Sequence, residues 1–349
     1  EPRLISLCGE PVSRCLGGAD RQAWVLPPRR CCSCHGAVAV SSPRTMNHLS
    51  LLLLVASSSS ALKVLVTGAG GRTGKLVFQQ LKESASFAPV GLVRSKKAVK
   101  ALRKVGGADD AEIVRADVTD GAALAAAMAG CDSVVLCTSA VPQILPFSIA
   151  KVLFKKVVLR RAEPGRPKFK FARGGTPEEV DWLGAKLQID AAKAAGVKRF
   201  VFVSSMGGTQ PDNFLNSIGK SDEDGSGGDI LLWKRKAERY LISSGLEYTI
   251  LHPGGLVDKP AGARELTVGV DDELLGQTFR QVPRADVARV CCAALTEPAA
   301  ADLSLDLASR PEGEGAVTDS PGSLFASLGG KSCDYSTVLD DPPSIFATG

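Results

Sequence analysis

Four glycines stand close together in the stretch VTGAGGRTGKLV, which runs from Val66 to Val77 between two apolar segments. A strand that turns sharply into a helix needs backbone conformations that side chains resist, and a bound pyrophosphate needs close approach to backbone N–H groups. The helix N-terminus adds free amides and a partial positive charge. Because the stretch follows VLVT directly and opens an apolar-periodic helix, it is predicted to hold the diphosphate of a dinucleotide rather than to form a plain turn. The residues assigned to this glycine loop are Gly68, Gly70, Gly71, Arg72, Thr73 and Gly74.

Basic residues follow the next apolar segment, where the sequence reads GLVRS. A loop that prefers NAD(H) usually carries an acidic residue there, which accepts hydrogen bonds from the ribose hydroxyls. Arg94 stands in that place, followed by Ser95 and two lysines, and Arg72 lies in the glycine loop. Guanidinium groups bind a 2′-phosphate well, so the pattern favours NADP(H) over NAD(H). The alternative is a solvated, basic start of a helix.

Further candidate residues follow the later strands, because ligands gather at the carboxyl ends of parallel strands. Asp117 is expected to meet the adenine, and Thr138 and Ser139 are expected to lie along the nicotinamide ribose. After the sixth predicted strand comes a short segment whose bare backbone could line the nicotinamide pocket, namely Pro253, Gly254 and Gly255.

Short β-branched runs alternate with helical stretches after Ala61, which predicts a parallel sheet covered by helices on both faces. The predicted fold class is α/β, a doubly wound parallel sheet of the Rossmann type with a small C-terminal region on the substrate side. Strands are predicted at 63–67, 89–94, 112–116, 132–138, 199–204, 248–252 and 303–307. Helices are predicted at 72–83, 96–104, 121–128, 177–195, 230–244 and 284–295.

The two ends of the chain differ in character from this domain. Residues 1–45 are rich in Arg, Cys and Pro and precede the first methionine, Met46, so they are interpreted as an untranslated leader or the remnant of a presequence. Residues 46–61 have a short apolar centre and a run of small residues, as in a signal or targeting segment. Such a segment directs a protein to a plastid or the secretory route, and without it the protein stays in the cytoplasm. The remaining assignments are a Rossmann domain at 62–330, insertions at 141–175 and 207–229, and a loose tail at 331–349.

Composition argues against two other classes of function. The net charge of +5 is mild and aromatic residues make up 5% of the chain, so no nucleic-acid surface is expected. The three histidines are scattered, and the CCSCH cluster at residues 31–35 lacks a second pair of ligands. No metal site is therefore expected. The expected partner is a small-molecule substrate.

Several separated motifs occur in order along the chain: TGAGGRTG, DWLGAK, FVFVSSMGG, ILLWKRKAERYL, YTILHPGGL and PRADVA. Together they resemble the atypical short-chain dehydrogenase/reductases, in particular the plant and algal NAD(P)-binding Rossmann-fold proteins. The resemblance covers about residues 63–328. It implies a single-domain Rossmann fold that binds NADP(H), with relatives among NmrA-like redox sensors and biliverdin/flavin reductase-like enzymes.

The Tyr-x-x-x-Lys pair of ordinary members of that superfamily is missing, because none of the three tyrosines has a lysine four residues later. Lys234 is matched to the lysine of the pair and is expected to hold the cofactor ribose, unless it faces solvent. Ser205 and His252 are the candidate proton donors, although His252 could instead pack at a strand end. The sequence therefore predicts an NADPH-dependent oxidoreductase acting on a small planar or carbonyl-bearing acceptor. The alternative is a non-catalytic NADP(H)-binding redox sensor or docking protein.

The first insertion contains the cationic and apolar run IAKVLFKKVVLRR at residues 149–161. An amphipathic helix of this kind could lie on an anionic membrane or contact an acidic protein. A lid over the substrate pocket, with its charges in water, is the alternative.

Overall fold

The computed structural model describes residues 61–160, 167–221, 223–337 and 339–346. The leader assigned to 1–45 and nearly all of the targeting segment at 46–61 lie outside the described residues. The strands are, in chain order, β1 Leu62–Thr67, β2 Phe87–Val93, β3 Ile113–Arg115, β4 Ser133–Leu136, β5 Gln143–Ile144, β6 Phe169–Lys170, β7 Arg199–Val203, β8 Glu247–Pro253, β9 Gly255–Val257, β10 Leu266–Gly269, β11 Gln281–Pro283 and β12 Leu303–Ser309. The α-helices are α1 Gly74–Glu83, α2 Lys96–Gly106, α3 Gly121–Met128, α4 Pro146–Val157, α5 Ala185–Ala194, α6 Phe214–Ser217, α7 Ile230–Ser243, α8 Arg284–Ala294 and α9 Ser323–Ser327, with a π-helix at Glu178–Gly184 leading into α5.

The central strands run parallel in the order β3-β2-β1-β4-β7-β8-β12. The chain moves outward from β1 through β2 to β3 and then returns to the other side of β1 with β4. This reversal creates a crevice at the carboxyl ends of β1 and β4, where doubly wound sheets bind their ligands. The predicted doubly wound parallel sheet is confirmed, and the predicted central strands agree with the observed ones to within a few residues.

Two apolar cores cover the two faces of the sheet. Val64 and Val66 belong to one core, whereas Leu65 between them belongs to the other. Phe200 and Val201 divide in the same way along β7. Successive side chains of a strand point to opposite faces, so strands buried on both sides read as continuous apolar runs.

The sheet changes character beyond β12, where β10 and β11 pair with β12 in the antiparallel sense and β9 runs parallel to β11. These short strands form the small C-terminal region that the sequence predicts on the substrate side. Their loops lie next to the carboxyl end of β8, because Gly255 of β9 follows Pro253 after a single residue.

The segment 207–229, predicted as a surface insertion ending in a flexible loop, contains α6 and a buried anchor. The Asn216 side chain is buried, and its Oδ1 accepts a hydrogen bond of 2.9 Å from the backbone N–H of Leu231. Asn216 also accepts from the N–H of Asp229 through its backbone oxygen, at 2.8 Å. These bonds fix the insertion to the start of α7.

The predicted loose tail from residue 331 also packs against the sheet over its first residues. The backbone N–H of Cys333 donates to the carbonyl of Ser304 on β12 at 3.0 Å, and the Cys333 side chain is buried. Tyr335 lies beside the core next to α7. Burial of these two side chains outweighs the loop-like composition, so the tail is ordered where it meets β12.

The insertion 141–175 projects from the domain. Its ends are joined by the short antiparallel pair β5 and β6, and α4 lies between them. Large apolar side chains of α4 are exposed, including Phe147 at 90%. Within the described part of the chain, no helix is both long enough and apolar enough to span a membrane.

Candidate cofactor loop and substrate cleft

The glycine loop runs between β1 and α1 so close to neighbouring backbone that side chains do not fit. Gly68 has a φ of +69°, and a Cβ there would lie 2.8 Å from the carbonyl oxygen of Cys137, just after β4. A Cβ on Gly74 would lie 2.3 Å from the carbonyl oxygen of Gly68. Glycine is therefore required at both positions, and it lets α1 begin directly against the turn.

The backbone N–H groups at the start of α1 are suited to bind an anion. The backbone N–H of Gly71 donates to Gly68 at 2.8 Å, but the N–H groups of Arg72, Thr73 and Gly74 have no acceptor in the described part of the chain. The first turn of α1 contains no acidic residue, and no side chain caps it. A helix N-terminus of this kind fits a diphosphate.

The loop after β2 lies beside the glycine loop. A Cβ on Gly70 would lie 2.4 Å from the Cβ of Ala98, in the first turn of α2. Ser95 caps that helix, since its Oγ accepts from the N–H of Ala98 at 3.2 Å. The exposed Arg94 guanidinium lies 3.9 Å from the Asp117 carboxylate, and Asp117 also accepts bonds from Thr119. The structure thus brings Arg94, Ser95 and Asp117 together next to the glycine loop, while their contact with the adenosine half of a cofactor stays a prediction.

Arg72 of the glycine loop forms an ion pair with Asp258, and Asp258 also pairs with Arg284 at 2.8 Å. The hydrogen bond from Arg72 is the main reason why the pKa of Asp258 lies below its usual value. The three side chains link the glycine loop to the first residue of α8. Sequence reasoning does not find this link, because Asp258 lies in no recognisable motif.

The loop after β4 rests on a buried ion pair. The Lys234 ammonium lies 2.8 Å from Asp181 Oδ1, and the other Asp181 oxygen accepts from the backbone N–H of Ala140 at 3.0 Å. The Lys234 side chain is only 6% exposed, so Lys234 does not face solvent. Thr138 accepts a bond of 3.3 Å from Gln188, and exposed Ser139 follows it. Lys234 therefore supports the loop that carries Thr138 and Ser139, while its contact with a ribose stays a prediction.

An open cleft of about 1260 Å³ lies beyond the carboxyl ends of β7 and β8. Four of the residues singled out in the sequence line it: Ser205, Pro253, Gly254 and Gly255. The Ser205 hydroxyl donates to the carbonyl of Met206 at 3.1 Å. A Cβ on Gly254 would lie 2.0 Å from the carbonyl oxygen of Arg280, so glycine allows β9 to approach β11 at the cleft wall.

The opposite walls of the cleft consist of residues that sequence reasoning misses. They include the aromatic rings of Phe214 and Phe279 and three arginines, Arg264, Arg280 and Arg284. Asp272 is the acidic residue of the lining, and its carboxylate already accepts bonds from the N–H groups of Gly207 and Thr209. The Arg264 Nε is buried and has no hydrogen-bond partner among the described residues. The cleft is consequently both apolar and positively charged.

His252 is not part of the cleft lining, in contrast to the Pro253–Gly255 segment that follows it. Its ring is buried on β8, with Nε2 at 3.3 Å from Glu238 and Nδ1 at 3.3 Å from Asp306. Burial alone lowers the pKa of His252, but Tyr335, Glu238 and Asp306 raise it well above its usual value. The geometry does not place His252 as a proton donor to a molecule in the cleft.

The cleft contains few groups that could act as acid or nucleophile. None of the three tyrosines of the chain lines it, and Tyr240 donates to Asp190 at 2.6 Å elsewhere. Cys137 lies beside the glycine loop, and burial raises the pKa of its thiol to about 12. A thiol with that pKa is protonated at neutral pH and is a poor nucleophile. The hydroxyl side chains in the lining are Ser205, Thr278 and Ser309.

Comparison with known proteins identifies the family. A family model described as NAD(P)H-binding matches residues 68–298. The chain is 48% identical over 282 residues to an uncharacterized chloroplastic protein of Arabidopsis thaliana, covering 80% of this chain and 79% of that protein. It is 43% identical over 281 residues to sanguinarine reductase of Eschscholzia californica, covering 78% and 98% of the two chains. The solved oxidoreductase YlbE of Lactococcus lactis is 19% identical, with a TM-score of 0.52 over 76% of this chain and 96% of that one, which shows the fold alone.

The chain therefore belongs to the NAD(P)H-binding family, as an atypical short-chain dehydrogenase/reductase. The predictions of a Rossmann fold and of a nicotinamide dinucleotide cofactor are confirmed. That the free amides at the start of α1, Arg94 and the loop after β4 hold this cofactor stays a prediction.

The buried pair of Lys234 and Asp181 gives a test of the site's framework. Asp181→Ala leaves an ammonium buried without a partner, so the free energy of unfolding should fall by about 3–5 kcal/mol. The double variant Asp181→Ala/Lys234→Met should lose less than Asp181→Ala alone. Urea unfolding measures both losses. The control is Asp110→Ala, which removes the exposed ion pair of Asp110 with Arg103 and should lower the free energy of unfolding by about 0–1 kcal/mol. Equal losses for Asp181→Ala and Asp110→Ala would contradict the account.

Proposed function

We propose that this protein is an NADPH-dependent reductase whose acceptor, a small planar or carbonyl-bearing molecule, binds in the cleft. The observation that carries the proposal is the position of the cleft. It opens at the carboxyl ends of β7 and β8, and Arg284 on its rim is linked through Asp258 to Arg72 of the glycine loop. A relative with 43% identity is a reductase, which supports the reaction class.

The absence of a tyrosine from the cleft favours acceptors that need little acid catalysis. When bound, the cofactor supplies a hydride, and quinones or flavins can take the accompanying proton from water. The cleft is open, so water reaches a bound acceptor. The role of the protein is then to hold the acceptor against the nicotinamide, with Pro253 and Gly254 as wall and Ser205 as a nearby hydroxyl.

The preference for NADPH over NADH is assigned to Arg94. Its guanidinium is exposed beside the glycine loop, and Asp117 at 3.9 Å orients it without enclosing it. Ser95 and Lys96 start α2 next to it and add a hydroxyl and a further positive charge. No acidic residue occupies the end of β2, where NAD(H) would require one.

Arg94→Ala should weaken NADPH binding by at least about tenfold, because a charge-assisted hydrogen bond to the 2′-phosphate is lost. NADH binding should change by less than about twofold, since NADH has no phosphate there. Fluorescence titration of both cofactors measures the two constants. Arg103→Ala, another exposed arginine of the α2 region, is the control and should leave both unchanged. Equal losses for NADPH and NADH would refute the assignment.

The three arginines of the cleft favour acceptors that carry an anionic group. Arg280 donates to the carbonyl of Leu275 at 2.9 Å, and Arg284 pairs with Asp258. The buried Nε of Arg264 has no hydrogen-bond partner within the described residues. A carboxylate or sulfonate on the acceptor would satisfy it.

NADPH oxidation with matched acceptors tests the proposed function. A sulfonated naphthoquinone should be reduced with a lower KM than its neutral counterpart, and Arg264→Gln should raise only the sulfonated KM, by about tenfold. If Arg264→Gln raises both values equally, the arginine does not select for charge. NADPH binding without turnover of any quinone, flavin or aldehyde would favour the alternative, a redox sensor.

We also propose that the protein acts in a plastid, to which a segment before residue 62 would direct it. The support is the chloroplastic relative, which is 48% identical, and the signal-like composition of residues 46–61. A fluorescent fusion of the full chain should accumulate in plastids. Fluorescence in the secretory route or in the cytoplasm would contradict this localisation.

For the insertion, we propose that α4 and the residues up to 160 contact an anionic membrane surface. Exposed apolar side chains, among them Phe147, Leu153 and Phe154, alternate with the cations Lys151 and Lys156. Apolar groups at a headgroup boundary and cations on lipid phosphates satisfy both kinds of side chain at once. None of residues 146–160 lines the cleft, so the lid interpretation has no support in the geometry.

Vesicle sedimentation tests this contact. The full chain should sediment with vesicles of phosphatidylcholine and phosphatidylglycerol and not with phosphatidylcholine alone. Phe147→Ser/Phe154→Ser should reduce the sedimented fraction to the background, whereas Phe346→Ser, an exposed phenylalanine near the chain end, should not. Absence of sedimentation with either vesicle would remove the membrane proposal and leave an acidic protein as the partner.

A further inference from the structure

Three side chains of the kinds that bind metal ions lie together on the sheet, behind the cleft wall. His252 of β8 and Asp306 of β12 are paired in the register of the two strands. Cys333 reaches the same place from the segment after α9. All three side chains are buried, and their ligand atoms lie within 4.8 Å of one another. The cluster takes no part in the cofactor loop or the cleft.

Nδ1 of His252 lies between the other two ligand types. His252 Nδ1 lies 3.3 Å from Asp306 Oδ1 and 3.7 Å from Cys333 Sγ. Nevertheless, both carboxylate oxygens of Asp306 are buried without an aligned hydrogen-bond partner in the described part of the chain. A tetrahedral zinc ion with bonds of about 2.0–2.3 Å separates its ligand atoms by roughly 3.3–3.7 Å. The two distances from His252 Nδ1, to Asp306 and to Cys333, fall in that range.

The surroundings also match those of a metal site. The other nitrogen of His252, Nε2, lies 3.3 Å from Glu238, as expected for a ligating histidine whose second nitrogen donates to a carboxylate. Glu238 is itself held by Ser204 and by Tyr335 at 3.0 Å. The backbone N–H of Asp271 donates to Cys333 Sγ at 3.4 Å. The supporting contacts thus hold two of the three ligands, His252 and Cys333.

We propose that His252, Asp306 and Cys333 bind one divalent transition-metal ion, with zinc as the best match. One imidazole, one thiolate and one carboxylate form a donor set of borderline softness, and chelation by both Asp306 oxygens would complete a distorted, non-tetrahedral four-coordinate site. The ion would fasten the segment at Cys333 to β8 and β12, directly behind Pro253 and Gly254. This is a structural site, and it is independent of the proposed reductase function.

The experiment uses the full chain with the five cysteines before Met46 replaced by serine, because the CCSCH cluster could itself take up zinc. This background protein is incubated with zinc, desalted and assayed by inductively coupled plasma mass spectrometry. It should retain about one equivalent, and cobalt loading should give a thiolate-to-metal charge-transfer band. Cys333→Ser and Asp306→Asn should lose both signals, whereas Cys292→Ser, a cysteine of α8 outside the cluster, should keep them.

Circular dichroism establishes that each variant is folded, and Asp306→Asn, which keeps every thiol, tests the site independently of Cys333→Ser. Retained metal and a thiolate band that depends on Cys333 support the proposal. A background protein that takes up neither ion overturns it, and so does equal retention by Cys333→Ser and Cys292→Ser.

Discussion

The rest of the structure depends on a steric constraint at the first turn of the chain after β1. Gly68 and Gly74 lie where any side chain would overlap neighbouring backbone, and Gly70 lies where a side chain would overlap α2. Bare backbone at these positions lets three loops meet, those after β1, β2 and β4. The same close approach leaves the N–H groups at the start of α1 free, and so the constraint that shapes the loop also makes it an anion site.

Charged side chains connect this turn to the rest of the site. Asp258 pairs with Arg72 on one side and Arg284 on the other, so one carboxylate relates the glycine loop to the cleft rim. On the far side of the loops, Asp181 binds Lys234 and the backbone after β4. Two carboxylates thus position the loops of the proposed cofactor site and the rim of the cleft. The cleft arginines without an ion pair among the described residues are Arg264 and Arg280.

Local patterns were sufficient to predict the centre of the fold. The run before Gly68 and the apolar period after Gly74 define β1 and α1, and buried runs such as Arg199–Val203 define the parallel strands. The short strands β9 to β11 could not be predicted, because they form strands only through partners distant in sequence, on β12 and between β9 and β11. The cluster around His252 was missed for the same reason, since Asp306 and Cys333 are distant in sequence and meet only in the folded chain.

The central claim is that the free amides at the start of α1 bind the diphosphate of NADPH. Isothermal titration of the purified full chain with NADPH tests it most directly, beside Gly74→Val, whose side chain would push Gly68 away. The account predicts saturable binding at one site in the natural chain and loss of that binding in a Gly74→Val protein that keeps its circular dichroism spectrum. Equal binding by both proteins, or none by the natural chain, would contradict it.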